Sequence, residues 1–271
     1  MYLEFFGFKE NPFNITADPE FFFSSKKHTE AFSHLLYGIK ERKGIMVVTG
    51  EIGTGKTTLC RMLLNKMGEN IQSALILNPS FSALQLLQLI ISDFGIDVKS
   101  PNKFDLMMAL NQFLIQQTNS GRNVVLIIDE CQNLGVSQLE QIRLLSNLET
   151  EKQKLLQIIL FGQPELMDKL GLKSLRQLNQ RIAVRYHVMP LERDEVDQYI
   201  RHRLDVARSD YSRPPVIFSE SAINQIYVNS KGTPRMINIF CDRALLAGFA
   251  CETFTITEDI LHRCVQEVAI H

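Results

Sequence analysis

The sequence predicts an α/β fold, a three-layer arrangement with a parallel five-stranded sheet covered on both faces, followed by a small all-helical domain. Three observations predict it. Short β-branched runs alternate with longer segments of helical periodicity in the first part of the chain. The alternation stops near Pro190, after which only helical sequence follows. Between the first strand and a helix lies the glycine-rich stretch VTGEIGTGKTTLC, Val48 to Cys60. The expected division is therefore residues 1–189 for the α/β domain and 190–271 for the helical one.

The expected strands, in order, are Ile45 to Thr49, Ala74 to Leu77, Val124 to Ile128, Gln157 to Phe161 and Val184 to Val188. Among the helices, SALQLLQLIISDFG has a serine to cap its start and Gly95 to stop it, and Ser137 with Glu140 reads as a capping box. Beyond Pro190 come LERDEVDQYIRHRLDVA, then FSESAINQIYVNSKG ending at Gly232, then TPRMINIFCDRALLAGFA with Pro234 in its first turn, then ITEDILHRCVQEV.

Composition narrows the class. At 271 residues and 45% hydrophobic the chain can bury a sizeable core and exceeds one average domain. Its net charge of -1, with acids and bases interspersed, does not call for nucleic acid or an anionic membrane. Cys60, Cys131, Cys241, Cys251 and Cys264 are odd in number and form no CxxC pair, which suits reduced thiols in a cytosolic protein. The opening MYLEFFGFKENPF lacks the basic flank and apolar core of a signal peptide. The longest apolar runs, such as VVLII, fall far short of the ~20 residues of a membrane helix, so a soluble protein is expected.

The glycine-rich stretch carries the chemistry. Gly50, Gly53 and Gly55, with Glu51, Ile52, Thr54 and Thr58 completing the loop, let backbone N–H groups converge on phosphates at a helix start. Lys56 is placed to reach the β- and γ-phosphates of ATP and Thr57 to ligate magnesium. In VVLIIDECQNL a buried strand delivers Asp129 and Glu130 at its carboxyl end, next to the loop. Asp129 suits the magnesium shell, and Glu130 can polarise water for attack on the γ-phosphate. The bland alternative is an Asp-Glu pair that merely ends a strand.

These motifs, with FFGFKENPF, FFFSSKKHTEAFSHLLYGI, LLQIILFGQPEL, LNQRI and KGTPRMIN, occur in an order that resembles the AAA+ ATPases, closely the general secretion pathway protein A (ExeA-type) branch, over nearly the whole chain. Short relatives in that group accompany pilus biogenesis and exosortase-linked export. The resemblance implies ATP hydrolysis with magnesium by a homo-oligomer, a ring such as a hexamer. It further implies a secretion or pilus-assembly partner at the inner membrane and a cytoplasmic location. Long members continue into a membrane segment and a periplasmic region, so the chain is expected to be a cytosolic part or a shorter relative. Residue by residue, it makes Gln163 the polar sensor, where asparagine is more usual and a helix cap is the alternative. Arg181 becomes the trans-acting arginine finger, with Arg176 and Arg185 as competitors, and Arg235 the second sensor. Two rival readings share the same residues: a DNA-associated AAA+ ATPase of the transposition or loader type, and a nucleotide-gated scaffold with little turnover.

Other residues invite attention. Phe5, Phe6, Phe13 and Phe21 to Phe23 can seal a core or pack around adenine. His28 and His34 lack matching ligands for a metal. Arg201, His202, Arg203 and Arg208 read as a solvated face or a nucleic-acid contact.

Overall fold

The computed structural model describes residues 1–99 and 102–269. Its first half runs α1 (Tyr2–Phe6), α2 (Lys26–Lys40), β1 (Ile45–Gly50), α3 (Lys56–Lys66), β2 (Ile71–Ile76), α4 (Ala83–Asp93), α5 (Lys103–Asn119) and β3 (Asn123–Ile128). There follow α6 (Val136–Leu145), β4 (Gln157–Gly162), α7 (Glu165–Leu170), α8 (Arg176–Gln180) and β5 (Ile182–Val188). The remainder is α9 (Arg193–Ala207), β6 (Ile217–Phe218), α10 (Glu220–Ser230), α11 (Pro234–Ala250), β7 (Thr255–Ile256) and α12 (Glu258–Ala269). Two compact units emerge from the contacts, one of Lys26–Ile52 with Leu59–Val188, the other of Met1–Ser25, Gly53–Thr58 and Met189–His271.

The first unit is a five-stranded parallel sheet in the order β2-β3-β4-β1-β5. Unbroken apolar runs make the central strands: every residue of β1 and β4 is buried, as is β3 after Asn123, because helices cover both faces. Edge strand β5 instead alternates, with Ala183, Arg185 and His187 exposed. Ile45, Val47, Leu126, Ile158 and Leu160 of the sheet meet Leu86, Leu87 and Ile90 of α4 and Leu139 and Ile142 of α6 in one aliphatic core.

Both edge strands begin two or three residues before the expected starts, β2 at Ile71 and β5 at Ile182. Polar Gln72 and Ser73 conceal the start of β2, where burial is only partial. The cap of α4 is as read, Ser82 Oγ accepting the Gln85 N–H at 3.3 Å while Gln85 Oε1 accepts the Ser82 N–H at 3.0 Å. That of α6 is not: Gln138 Oε1 accepts the Gly135 N–H at 3.0 Å, so the helix starts at Val136 and Ser137 lies inside its first turn.

The second unit gathers α9 to α12 around an aromatic-rich core that includes Phe6, Phe8, Phe13, Phe21, Tyr199, Phe218 and Phe240. Residues 1–25 therefore cluster with the helical region, not with the sheet as the 1–189 division expected. Four buried phenylalanines account for the difference. Nor is the region all helical, since β6 and β7 form a short parallel pair.

The basic stretch on α9 is not a solvated face throughout. Arg203 is buried, its guanidinium donating to the carbonyls of Pro12 and Asn14 and to the Tyr199 hydroxyl, and lying 4.7 Å from the centre of the Phe21 ring. Arg201 pairs with Asp197 at 2.9 Å and Arg208 donates to the Arg213 carbonyl at 2.8 Å. A buried guanidinium that answers backbone carbonyls fastens the N-terminal segment to α9.

Candidate nucleotide site

The loop after β1 is built by its glycines. Gly53 and Gly55 take φ of 80° and 93°, left-handed conformations open to residues without a Cβ, and α3 starts at Lys56. Within the second unit Gly53 meets the start of α11: its carbonyl accepts the Arg235 N–H at 3.2 Å. A Cβ at Gly53 would lie 2.6 Å from the Arg235 Cβ and 3.2 Å from Thr233 Cγ2. Gly53 is thus required twice, for its dihedral and for its neighbours. Thr54 and Lys56 are buried, while Glu51, Ile52 and Arg235 are exposed.

The carboxylates belong to the first unit. Asp129 and Glu130 follow β3 directly, but β3 is not the neighbour of β1; β4 lies between them. Asp129 is 1% exposed; its N–H donates to the Ile76 carbonyl at 2.9 Å and its Oδ1 accepts the Glu130 N–H at 2.9 Å. Glu130 adopts φ 54° and ψ 37°. A non-glycine residue held there costs on the order of 1–3 kcal/mol, so the surroundings must hold it. They do so through side chains: Gln132 Nε2 donates to Glu130 Oε2, and Gln163 Nε2 approaches the same oxygen at 3.5 Å.

Burial, and then the negative charge of Asp129, push the thiols of Cys60 and Cys131 up. The five cysteines of the chain are all free, Cys251 alone being exposed. Buried, protonated sulfur of this kind is inert packing.

Gln163 stands just past β4. Its carbonyl, not its side chain, accepts the Leu166 N–H at 2.9 Å, and Pro164 occupies the cap of α7, so the amide is left facing Glu130 rather than capping a helix. Asp129, Glu130 and Gln163 are thus brought together at the carboxyl ends of adjacent strands. Arg181 is not among them. It precedes β5, whose Ile182 is level with Ile45 at the start of β1, and is exposed at the opposite end of the sheet. A six-residue strand spans about 17 Å, beyond the reach of one arginine. Arg176, at the start of α8, is exposed too; Arg185 is held by the carbonyl and side chain of Asn179.

Two residues beside this cluster carried no role in the sequence reading. Gln132 bridges Glu130 and the end of β4, and Lys169 donates to the carbonyls of Gln132 and Leu134. The signal for Gln132 lay in its spacing, two residues after the carboxylate. Lys169 gave none. Phe6, Phe13 and Phe21 are core residues, and among the described residues no group of three or more His, Cys, Asp or Glu could hold a metal.

In the first unit the buried Asp129 carboxylate is a hard oxygen donor of the kind that suits magnesium. In the second, a loop with two left-handed glycines at a helix start suits phosphate. Residues 39–170 match the AAA domain family. Along 99% of its length the chain is 42% identical to General secretion pathway protein A of Aeromonas hydrophila. Its fold is that of an AAA+ P-loop domain. The chain spans 49% of that relative. The fold of this chain is similar to that of the Aeropyrum pernix ORC2 protein (TM-score 0.71, 16% identity, 96% of this chain and 72% of that one). It is also similar to the Thermotoga maritima RuvB Holliday junction branch migration motor (TM-score 0.59, 17% identity, 90% and 69%). At such identities the solved structures speak for the fold alone. No helix among the described residues is long and apolar enough to cross a membrane.

Proposed function

We propose that this chain is an AAA+ ATPase that binds ATP with magnesium on the Gly50–Thr58 loop and hydrolyses it to drive assembly or operation of a secretion or pilus apparatus, at the cytoplasmic face of an inner membrane. The observation that carries the hydrolytic part is the Glu130 carboxylate, fixed beside Asp129 by two glutamine amides. A base held in place and poised to take a proton from water is what hydrolysis needs, whereas phosphoryl transfer to another acceptor needs an acceptor site.

Each residue then has a task. The loop N–H groups and Lys56 hold the phosphates; Thr57 and Asp129 would hold magnesium, which when bound supplies positive charge against the phosphate oxygens. Glu130 accepts the proton of the attacking water, and Gln163 orients that water from the neighbouring strand. Arg235, at the start of α11, contacts the nucleotide as second sensor. Arg181 serves a neighbouring subunit of a ring, which its position at the far end of the sheet supports, since it cannot serve its own. The apparatus is proposed from the relative named General secretion pathway protein A.

The reading is tested by steady-state hydrolysis of ATP at rising protein concentration, with magnesium and then with a chelator. Expected is magnesium-dependent turnover whose rate per subunit rises as rings assemble. Turnover that is absent at every concentration would leave a nucleotide-gated scaffold. Turnover that appears only on adding DNA, and weakens steeply with salt, would favour the DNA-associated class.

A further inference from the structure

Gln132 lies in the turn after Glu130 and its side-chain amide is used at both ends. Its Nε2 donates to Glu130 Oε2, and its Oε1 accepts the backbone N–H of Gln163 at 3.0 Å. The two partners fix the orientation of the amide, because a carboxylate can only accept and a backbone N–H can only donate. Room for it is made by Gly162, where a Cβ would lie 3.3 Å from Gln132 Oε1 and 2.9 Å from Leu166 Cδ2. The turn itself is pinned from α7, Lys169 Nζ donating to the carbonyls of Gln132 and, at 2.9 Å, Leu134.

We propose that Gln132 is the positioning residue of the hydrolytic base, coupling the place of the Glu130 carboxylate to the position of Gln163 at the end of β4. One amide spans the two strand ends, so a displacement of Gln163 pulls on Oε1 and is delivered at Nε2, where the carboxylate is held. The arrangement gives the chain a means of keeping its base aligned in one setting of β4 and releasing it in another. Nothing is transferred through Gln132; it acts only through Glu130. The inference rests on Glu130 being the base.

The test uses two variants that separate the arms of the amide. Gln132→Met keeps the length and loses both hydrogen bonds. Gln132→Glu keeps an acceptor for the Gln163 N–H but sets a carboxylate against Glu130. Misplacing a reacting group by about 1 Å can cost ~10²-fold, so kcat is expected to fall about 10²-fold in both, with KM for ATP within about twofold of the parent. Added to Glu130→Gln, either change is expected to cost nothing further, since the group it positions is gone. In the nucleotide-free protein, amide hydrogen exchange at Gln163 is expected to quicken in Gln132→Met and stay protected in Gln132→Glu. Parent-like kcat in the two variants, or an equal loss with and without Glu130, would overturn the proposal. Should Glu130→Gln itself turn over normally, the reading of the base fails instead. If Gln132→Met does not fold, the kinetics of Gln132→Glu decide alone.

Discussion

At the end of β3 side chains hold side chains: Gln132 and Gln163 face the Glu130 carboxylate, and the Asp129 carboxylate accepts the next N–H. In the loop after β1 the backbone does the holding, through Gly53 and Gly55 at positive φ and the Gly53 carbonyl that receives the Arg235 N–H. The first region is specified by functional groups, one hydrogen bond at a time. The second is specified by the absence of side chains. It follows that the strand end should respond to substitutions that change chemistry without changing shape, and the loop to substitutions that change shape without changing chemistry.

The largest expected effect lies outside both regions. Arg181→Ala is expected to bind ATP as the parent does and to lose roughly 10³-fold or more in turnover, the scale of a trans-acting arginine. Mixing it with Lys56→Ala should restore part of the activity, because some interfaces then pair an intact loop with an intact arginine. A mixture that stays dead, with parent activity flat across concentration, makes Arg181 structural and removes the ring from the account.

Next in size is Lys56→Ala. Losing one or two charge-assisted hydrogen bonds of about 1.5–3 kcal/mol each should weaken ATP binding by at least tenfold, with the fold intact by circular dichroism. Unchanged affinity in a titration with labelled ATP would contradict the loop assignment. The smallest effect is asked of Gly53→Ala, which adds one methyl and no charge. With φ at 80° and the Arg235 Cβ 2.6 Å from the new atom, it should destabilise the fold by about 1–3 kcal/mol, read as a lower urea midpoint. A midpoint equal to the parent's would mean that loop and helix start separate freely.

How legible each region was in the sequence follows from the same contrast. The loop announced itself, because glycine spacing is a direct record of backbone need. The apolar runs IMVVTG, NVVLII and QIILFG gave the central strands, for no polar residue interrupts strands buried on both faces. The order of strands was not readable, and the sequence placed β3 next to the loop where β4 intervenes. Residues 1–25 were assigned to the sheet because sequence neighbourhood says nothing of which core four phenylalanines enter. Arg203 looked solvated in a basic run, since its partners are backbone carbonyls 189 and 191 residues away in sequence. Gln132 was quoted inside its motif without a role, as its two partners meet only when β3 and β4 lie side by side.

The central claim is that loop and strand end divide the work, one binding ATP and the other hydrolysing it. Single-turnover hydrolysis of ATP by Glu130→Gln, run beside a binding titration on the same preparation, tests it most directly. The variant keeps the size and shape of the side chain and removes only its ability to accept the proton. The account predicts parent-like affinity for magnesium-ATP with hydrolysis slowed about 10²- to 10⁴-fold. Hydrolysis at the parent rate, or loss of binding in step with loss of hydrolysis, would contradict it.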